Sequence, residues 1–501
     1  MSNTFDIENG VLQYYAGKDE QTVVVPDGVT AIDEYAFVSN ETIIEVVLPK
    51  GLVEIGKSAF GTCEKLQKVT LPDTLEFIAE QAFYGCTNLR EIVFPSSLAK
   101  IDEEAFAHCK SLRKLTIPGS IKEVSEHAFE CCEELSSLTL CEGVEKIECD
   151  AFTECPKLTE LKLPSTLTWI GKGAFCACGI KELTLHDGIT HVGADAFHNC
   201  ENLESVHIGK GVQEIGDAAF GYCANLKRIE VAKENERFVV KGNCLIDVEN
   251  KTLLQATPDF EIPADGSVTA FADGAFGGMK SIKVFEVPAF IETIEDYAFC
   301  DCKNLRKLTV HRDNKNYVSK NDCLIEIATG KLIAGCSPND IPNDGSVKII
   351  ASGAFAESDE LTSLSLPEGV LELNNFAFAN FSALRSVRLP DSLVTIGINA
   401  FMDCEKLQAV TLGRHLEKID DWAFAGCKSL EEIEFPESVT YVGEHAFYEV
   451  PLKIAKFRAP KFWFGHDWHC TPKPIKVKNP KKAAALLTDK NAIRTFERKP
   501  K

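Results

Sequence analysis

No run in this 501-residue sequence approaches the ~20 apolar residues that a membrane helix needs. The first ten residues, Met1 to Gly10, hold neither a basic segment nor an apolar one. The expectation is a chain without span, anchor or signal peptide. The sequence also lacks G-x-S-x-G, a phosphate loop, H-E-x-x-H and a dinucleotide fingerprint, so the catalytic chemistries those patterns serve have no support here. Positive charge is scarce: 53 Lys+Arg face 75 Asp+Glu, for a net charge of −22. A nucleic-acid binder needs a basic stripe to neutralise phosphates, and this balance has the opposite sign. Disorder is excluded from the other side, because 45% of the residues are hydrophobic.

What is present is a repeat. Ala-Phe recurs sixteen times in one register, with phenylalanines at Phe37, Phe60, Phe83, Phe106, Phe129, Phe152, Phe175, Phe197, Phe220, Phe276, Phe299, Phe355, Phe378, Phe401, Phe424 and Phe447. The step is 23 residues, except for one of 22 and two of 56, and 56 exceeds 23 by 33 in both places. A fixed period of this length marks a solenoid interrupted by two insertions of equal size.

One unit shows the physics. After Ala59-Phe60, the stretch Leu66 to Leu71 ends in the alternation of a short strand, and Pro72-Asp73 turns the chain. Leu75 to Ile78 is a second short extended run, and Glu80-Gln81-Ala82-Phe83 reads as about one helical turn. Such a coil cannot close a core alone and must stack on the next at ~4.8 Å per strand. The alanine lets the turn approach its neighbour, and the phenylalanines stack inside.

The pattern L-x-x-[IV]-x-[LIV]-P…A-F-x-x-C resembles the BspA-like, or Treponema pallidum type, leucine-rich repeat over residues 23 to 455. The resemblance implies a curved right-handed solenoid, mainly β, with a parallel sheet on one face and short helical turns. It also implies a protein-binding role, often at a bacterial or protist surface.

Two further segments repeat one another. Phe238 to Ile246 lies 38 residues before Phe276 at its start, and Tyr317 to Ile325 lies 38 before Phe355; Phe5 to Leu12 opens the chain in the same style. Their Gly-Asn and Asn-Asp dipeptides are hairpin chemistry. The chain therefore divides into an N-terminal hairpin cassette over 1–22, repeats over 23–455 with extra cassettes near 232–262 and 311–341, and a basic segment over 456–501. Residues 451–501 carry a net +11, which leaves −33 for residues 1–450. Asn479-Pro480 followed by Lys481 to Leu487 predicts an N-capped helix. The segment reads as a cap on the last coil, with a basic tail for anionic partners or for a second copy as the sharper alternative.

Eleven of the twenty cysteines fall three residues after the repeat phenylalanine: Cys63, Cys86, Cys109, Cys132, Cys155, Cys178, Cys200, Cys223, Cys302, Cys404 and Cys427. Neighbours in a stack would stand within disulfide range. The same slot holds Asn40, Met279, Ser358, Phe381 and Val450 elsewhere, so it reads as a packing slot filled by free thiols behaving as small hydrophobes. Free thiols and the absent export signal make the expected compartment cytoplasmic, with a cell-surface or secreted protein as the alternative. No C-x-x-C…C-x-x-C arrangement supports zinc. His466-Asp467-Trp468-His469-Cys470 is the best local metal candidate, and its aromatic neighbours favour packing instead.

The remaining surface is the sheet face. Outward strand positions read Thr70, Val93, Thr116, Thr139, Lys162, Thr184, His207 and Glu230, then Thr309, Ser365, Arg388, Thr411 and Glu434. Threonine suits a strand and can form ladders across coils. Without aromatic anchors this face argues against sugar stacking and for a broad, moderate protein interface. The expected function is a non-enzymatic protein-binding scaffold with no catalytic, cofactor or metal residues. It would have a protein partner and neither nucleic acid nor membrane insertion. A cell-surface adhesin for host or matrix proteins is the alternative.

Overall fold

The structure, a computed structural model, describes residues 4–355, 360–459, 463–466, 473–474, 477–488 and 495–498. The chain forms two compact units, Met1–Val268 and Thr269–Lys501. Each is a β-solenoid in which most coils contribute two strands.

In the first unit the longer runs pair in parallel: Thr22–Val24 with Glu45–Val47 and Lys68–Thr70, Lys114–Ile117 with Ser137–Leu140, and Glu182–Leu185 with Ser205–Ile208 and Arg228–Val231. A second parallel ladder is built from two-residue strands. It runs Ala31–Ile32, Glu54–Ile55, Phe77–Ile78 and Lys100–Ile101, then Glu123–Val124, Lys146–Ile147, Trp169–Ile170, His191–Val192 and Glu214–Ile215. In a strand such as Ser137–Leu140 exposed and buried residues alternate, as period-2 patterning requires.

The Ala-Phe turn is a tight turn rather than a helical one. Two residues per coil take left-handed backbone angles: Gln81 before Ala82-Phe83 has φ 57°, and Thr62, two after Phe60, has φ 55°. This geometry aims backbone N–H groups along the solenoid axis. The Phe60 amide donates to the Ala82 carbonyl at 2.8 Å, Phe83 to Ala105 at 2.8 Å and Phe106 to Ala128 at 2.8 Å. The turns thus form a third inter-coil ladder without being strands.

Beneath it the phenylalanine rings stack. From Phe37 to Phe220 successive ring centroids are 4.7 to 5.9 Å apart and the rings lie within 14° of parallel. Most of these separations exceed the coil spacing, so the rings are offset, the arrangement their quadrupoles favour. Tyr15 and Phe5 continue the stack at its N-terminal end.

The second unit repeats the plan. Ser363–Ser365, Ser386–Arg388 and Ala409–Thr411 form one ladder, and Glu432–Phe435 pairs with Ile454–Phe457. The helix is present at Pro480–Leu487, with the Asn479 side chain accepting the Lys481 and Lys482 amides at 3.1 Å. It buries Ala483, Ala484 and Leu487 and packs against Ile454–Phe457.

The cassettes carry three strands rather than two. Phe238–Lys241, Cys244–Asp247 and Thr252–Ala256 form an antiparallel meander, as do Tyr317–Lys320, Cys323–Glu326 and Lys331–Gly335. Phe5–Glu8 and Val11–Tyr15 reproduce the last two strands of that meander, including the bulge, so the N-terminal hairpin aligns one strand later than its sequence suggests. Asn235 holds the first meander: its Nδ2 donates to the Gly209 and Val212 carbonyls while its Oδ1 accepts the Arg237 and Phe238 amides. Asn314 does the same in the second.

Candidate protein-binding face

Every one of the thirteen sheet-face residues is exposed or half-buried, and His207 and Thr309 are the half-buried ones. Strand register brings them together in short rows. Thr116 stands beside Thr139; Thr184, His207 and Glu230 follow one another; and Ser365, Arg388 and Thr411 form a third row. Glu434 sits next to Lys456, and Thr309 next to Glu286.

Two of the thirteen are not on strands. Val93 follows Glu91, which makes only isolated bridges to Lys68 and Lys114. The larger Phe94 ring fills the last strand slot there and reaches Phe106 and Phe129 at 5.4 and 6.3 Å. The coil of Lys162 lacks the longer strand and keeps only Trp169–Ile170, and it is the coil that meets the 22-residue one.

The row begins earlier than the sequence reading placed it. Val24 pairs with Val47 and Val47 with Thr70, and Val24 is 62% exposed. Val24, Val47, Thr70, Val93, Thr116 and Thr139 are thus six successive outward positions without a charge. Val93 is 70% exposed. Between the coils of Thr70 and Val93 an indentation of about 430 Å³ opens, with Asp73 and Phe94 in its wall. Glu286 and Val284, the latter 65% exposed, are further outward positions. Charge enters towards the C-terminal coils, where Arg228 pairs with Glu230 at 3.0 Å and Arg458 with Glu434 at 2.7 Å.

The cysteine slot does more than pack. All eleven slot cysteines are free thiols. Each donates its Sγ–H to the carbonyl of the preceding coil's phenylalanine, from Cys63 to Phe37 at 3.0 Å and Cys86 to Phe60 at 3.1 Å through to Cys427 to Phe401 at 3.3 Å. Burial pushes the thiols of Cys63, Cys200, Cys302 and Cys404 up to about 12. Thiols held protonated at neutral pH are poor nucleophiles and poor metal ligands. Ser358 and the side chains of His466-Asp467-Trp468-His469-Cys470 lie outside the described residues.

A second concavity went unseen in the sequence. It encloses about 960 Å³ in the first unit, between the short strands at Trp169, His191 and Glu214 and the first cassette at Arg237 and Asp247. Trp169 and His191 stack at 3.5 Å and 7°, and the His191 ring shares a hydrogen bond of 2.9 Å with Glu214. Burial raises the Glu148 carboxyl above its ordinary value, and the neighbouring Glu123 charge adds to that.

Among the described residues no helix is long and apolar enough to cross a membrane. A family model described as the BspA type leucine-rich repeat region matches residues 12–136, 122–244, 255–323 and 342–462. Among solved structures, a leucine-rich cell surface protein of Faecalibacterium prausnitzii is 22% identical, with 81% of this chain and 92% of that one covered at a TM-score of 0.44. A leucine-rich repeat protein of T. pallidum is 27% identical over 45% of this chain and 89% of its own, at 0.29. The pneumococcal vaccine antigen PcpA is 17% identical over 89% and 90%, at 0.31. No curated protein matches the chain.

Proposed function

The chain belongs to the BspA-type leucine-rich repeat family, and from that premise we propose that it is a non-enzymatic scaffold whose long-strand face docks a partner protein. The observation that carries this reading is the row of six outward residues from Val24 to Thr139. It bears no charge on a sequence whose residues 1–450 carry −33, and it leaves two valines more than 60% exposed. Uncovered β-branched side chains in register cost hydration and return it when a partner covers them. The indentation beside Val93 offers a seat for one partner side chain, and the charged coils around His207 and Glu230 supply orientation rather than affinity.

The test is a photo-reactive residue placed at Thr116 or, as a control, at Lys146 on the short-strand ladder, followed by irradiation of living cells. Crosslinks to a defined protein from Thr116 alone support the reading. The double variant Thr116→Arg, Thr139→Arg, with melting temperature unchanged, should abolish them. Equal crosslinking from Lys146, or no effect of the double variant, moves the interface elsewhere.

A further inference from the structure

The two cassettes are copies in which Tyr317 stands 79 residues after Phe238, and Ile294 79 after Ile215. At that position they differ by one hydroxyl. In the second cassette Tyr317 is buried and its hydroxyl oxygen accepts the Ile294 amide at 2.8 Å. In the first, Phe238 is equally buried but has no oxygen to offer. The Glu214 and Gly216 amides donate back to the Thr190 and Val192 carbonyls, so the Ile215 amide between them faces the other way, towards the cassette. It has no protein partner among the described residues, and Ile215 lines the 960 Å³ cleft.

A second donor is left over beside it. Arg237 replaces Asn316 of the other cassette, and its guanidinium is held by Asp247 at 2.8 Å and by Glu249. Its buried Nε–H has no partner among the described residues. The same cleft displays the carboxylates of Glu148, Glu214 and Asp217 and one ammonium, that of Lys172.

We propose that this cleft is a binding site for a neutral saccharide. Unpaired buried donors call for acceptor atoms, because leaving them unmet costs their full desolvation. Three carboxylates against the single Lys172 ammonium leave the cleft net negative, which repels an anion that would supply those acceptors. A cation would satisfy the carboxylates and leave both donors open. A sugar hydroxyl donates and accepts at one atom, so neighbouring hydroxyls meet both sets at once. The Trp169 ring, 36% exposed, stands between His191 stacked at 3.5 Å and the Lys146 ammonium 6.0 Å from its centroid, so what it offers a pyranose is its exposed edge. The volume matches that of sites for small ligands. This site is separate from the long-strand face, and its failure leaves the proposed function untouched.

The full-length protein should be titrated calorimetrically with the tetrasaccharides of β-1,4-glucose, N-acetylglucosamine, mannose and galactose. Tetragalacturonate and tetraglucosamine serve as charged controls. At least one neutral member is expected to bind, and Phe238→Tyr should weaken it more than tenfold, because the new hydroxyl takes the Ile215 amide as Tyr317 takes that of Ile294. The same variant should melt no lower than the parent, which separates occlusion from misfolding. Trp169→Ala should weaken binding as well. No neutral binding at about 5 mM, the weak end for such ligands, overturns the proposal. Binding of the charged members alone does so too, as does unchanged affinity in both variants.

Discussion

In the first unit the slot after the phenylalanine is cysteine in eight successive coils, Cys63 to Cys223, and each thiol reaches back to a phenylalanine carbonyl. In the second unit the slot varies: Cys302, Cys404 and Cys427 keep the bond, whereas Met279, Phe381 and Val450 fill the space without a donor. Phe381 instead sets its ring against Phe378 at 5.8 Å, edge on. Both versions are fully packed, since Val450 and Phe381 are as buried as the thiols. The coil therefore requires volume at this position and tolerates a missing hydrogen bond, because the carbonyl also accepts a turn amide. Phe424, for example, accepts the Cys427 amide at 3.3 Å.

Alkali should expose the difference most strongly. A slot thiol titrates near 9 when exposed and at about 12 in the fold, as at Cys63. The folded form holds its proton longer, so its stability is full below pH 9 and is lost as the pH rises towards 12. The loss is about 1.4 kcal/mol per thiol per pH unit. Circular dichroism should show cooperative unfolding between pH 9 and 11, and replacing several first-unit thiols by valine should move the midpoint upward. A flat profile to pH 11 would mean the thiols are not buried as described.

Next in size is the ring stack. Phe152 is fully buried, with neighbours at 5.4 Å on both sides. Phe152→Ala should cost about 3–5 kcal/mol in denaturant titration; a loss below 1 kcal/mol would break the stacking account. Smaller again, Cys86→Val removes one thiol donor while keeping volume, and about 1 kcal/mol or less is expected, since Phe60 still accepts the Cys63 amide. The smallest effect belongs to Val450→Cys, which adds the donor the second unit lacks. A shift within about 0.5 kcal/mol is expected from its melting curve, and a large gain would show that the bond, not the volume, drives the slot.

The coils, the buried phenylalanines and most of the outward row were legible because each obeys a period the sequence displays. Val24 and Val47 sit inside continuous apolar runs, Val23 to Val25 and Val46 to Leu48, where no alternation shows which residue faces outward. Val93 and Lys162 lost their strands to a bulkier ring and to a one-residue deletion next door, effects of neighbours rather than of local pattern. The cysteine slot looked apolar because methionine, phenylalanine and valine share it, and no substitution pattern reveals a donated thiol. The cleft depends on where the first meander projects, which no period encodes. Its one visible trace was the Phe238 to Tyr317 difference between aligned cassettes, legible only once Ile294 was seen to use the hydroxyl.

The inter-coil bond from a phenylalanine amide to the next alanine carbonyl has a further consequence. The seams from Phe37 to Ala219, from Phe276 to Ala298 and from Phe378 to Ala446 present the same donors on one side and the same acceptors on the other. Unequal recombination in phase with the repeat therefore joins one seam to another without a mismatch. Descendants of this gene can lengthen or shorten by whole coils, and drift at their outward positions, while the joinery that holds them stays constant.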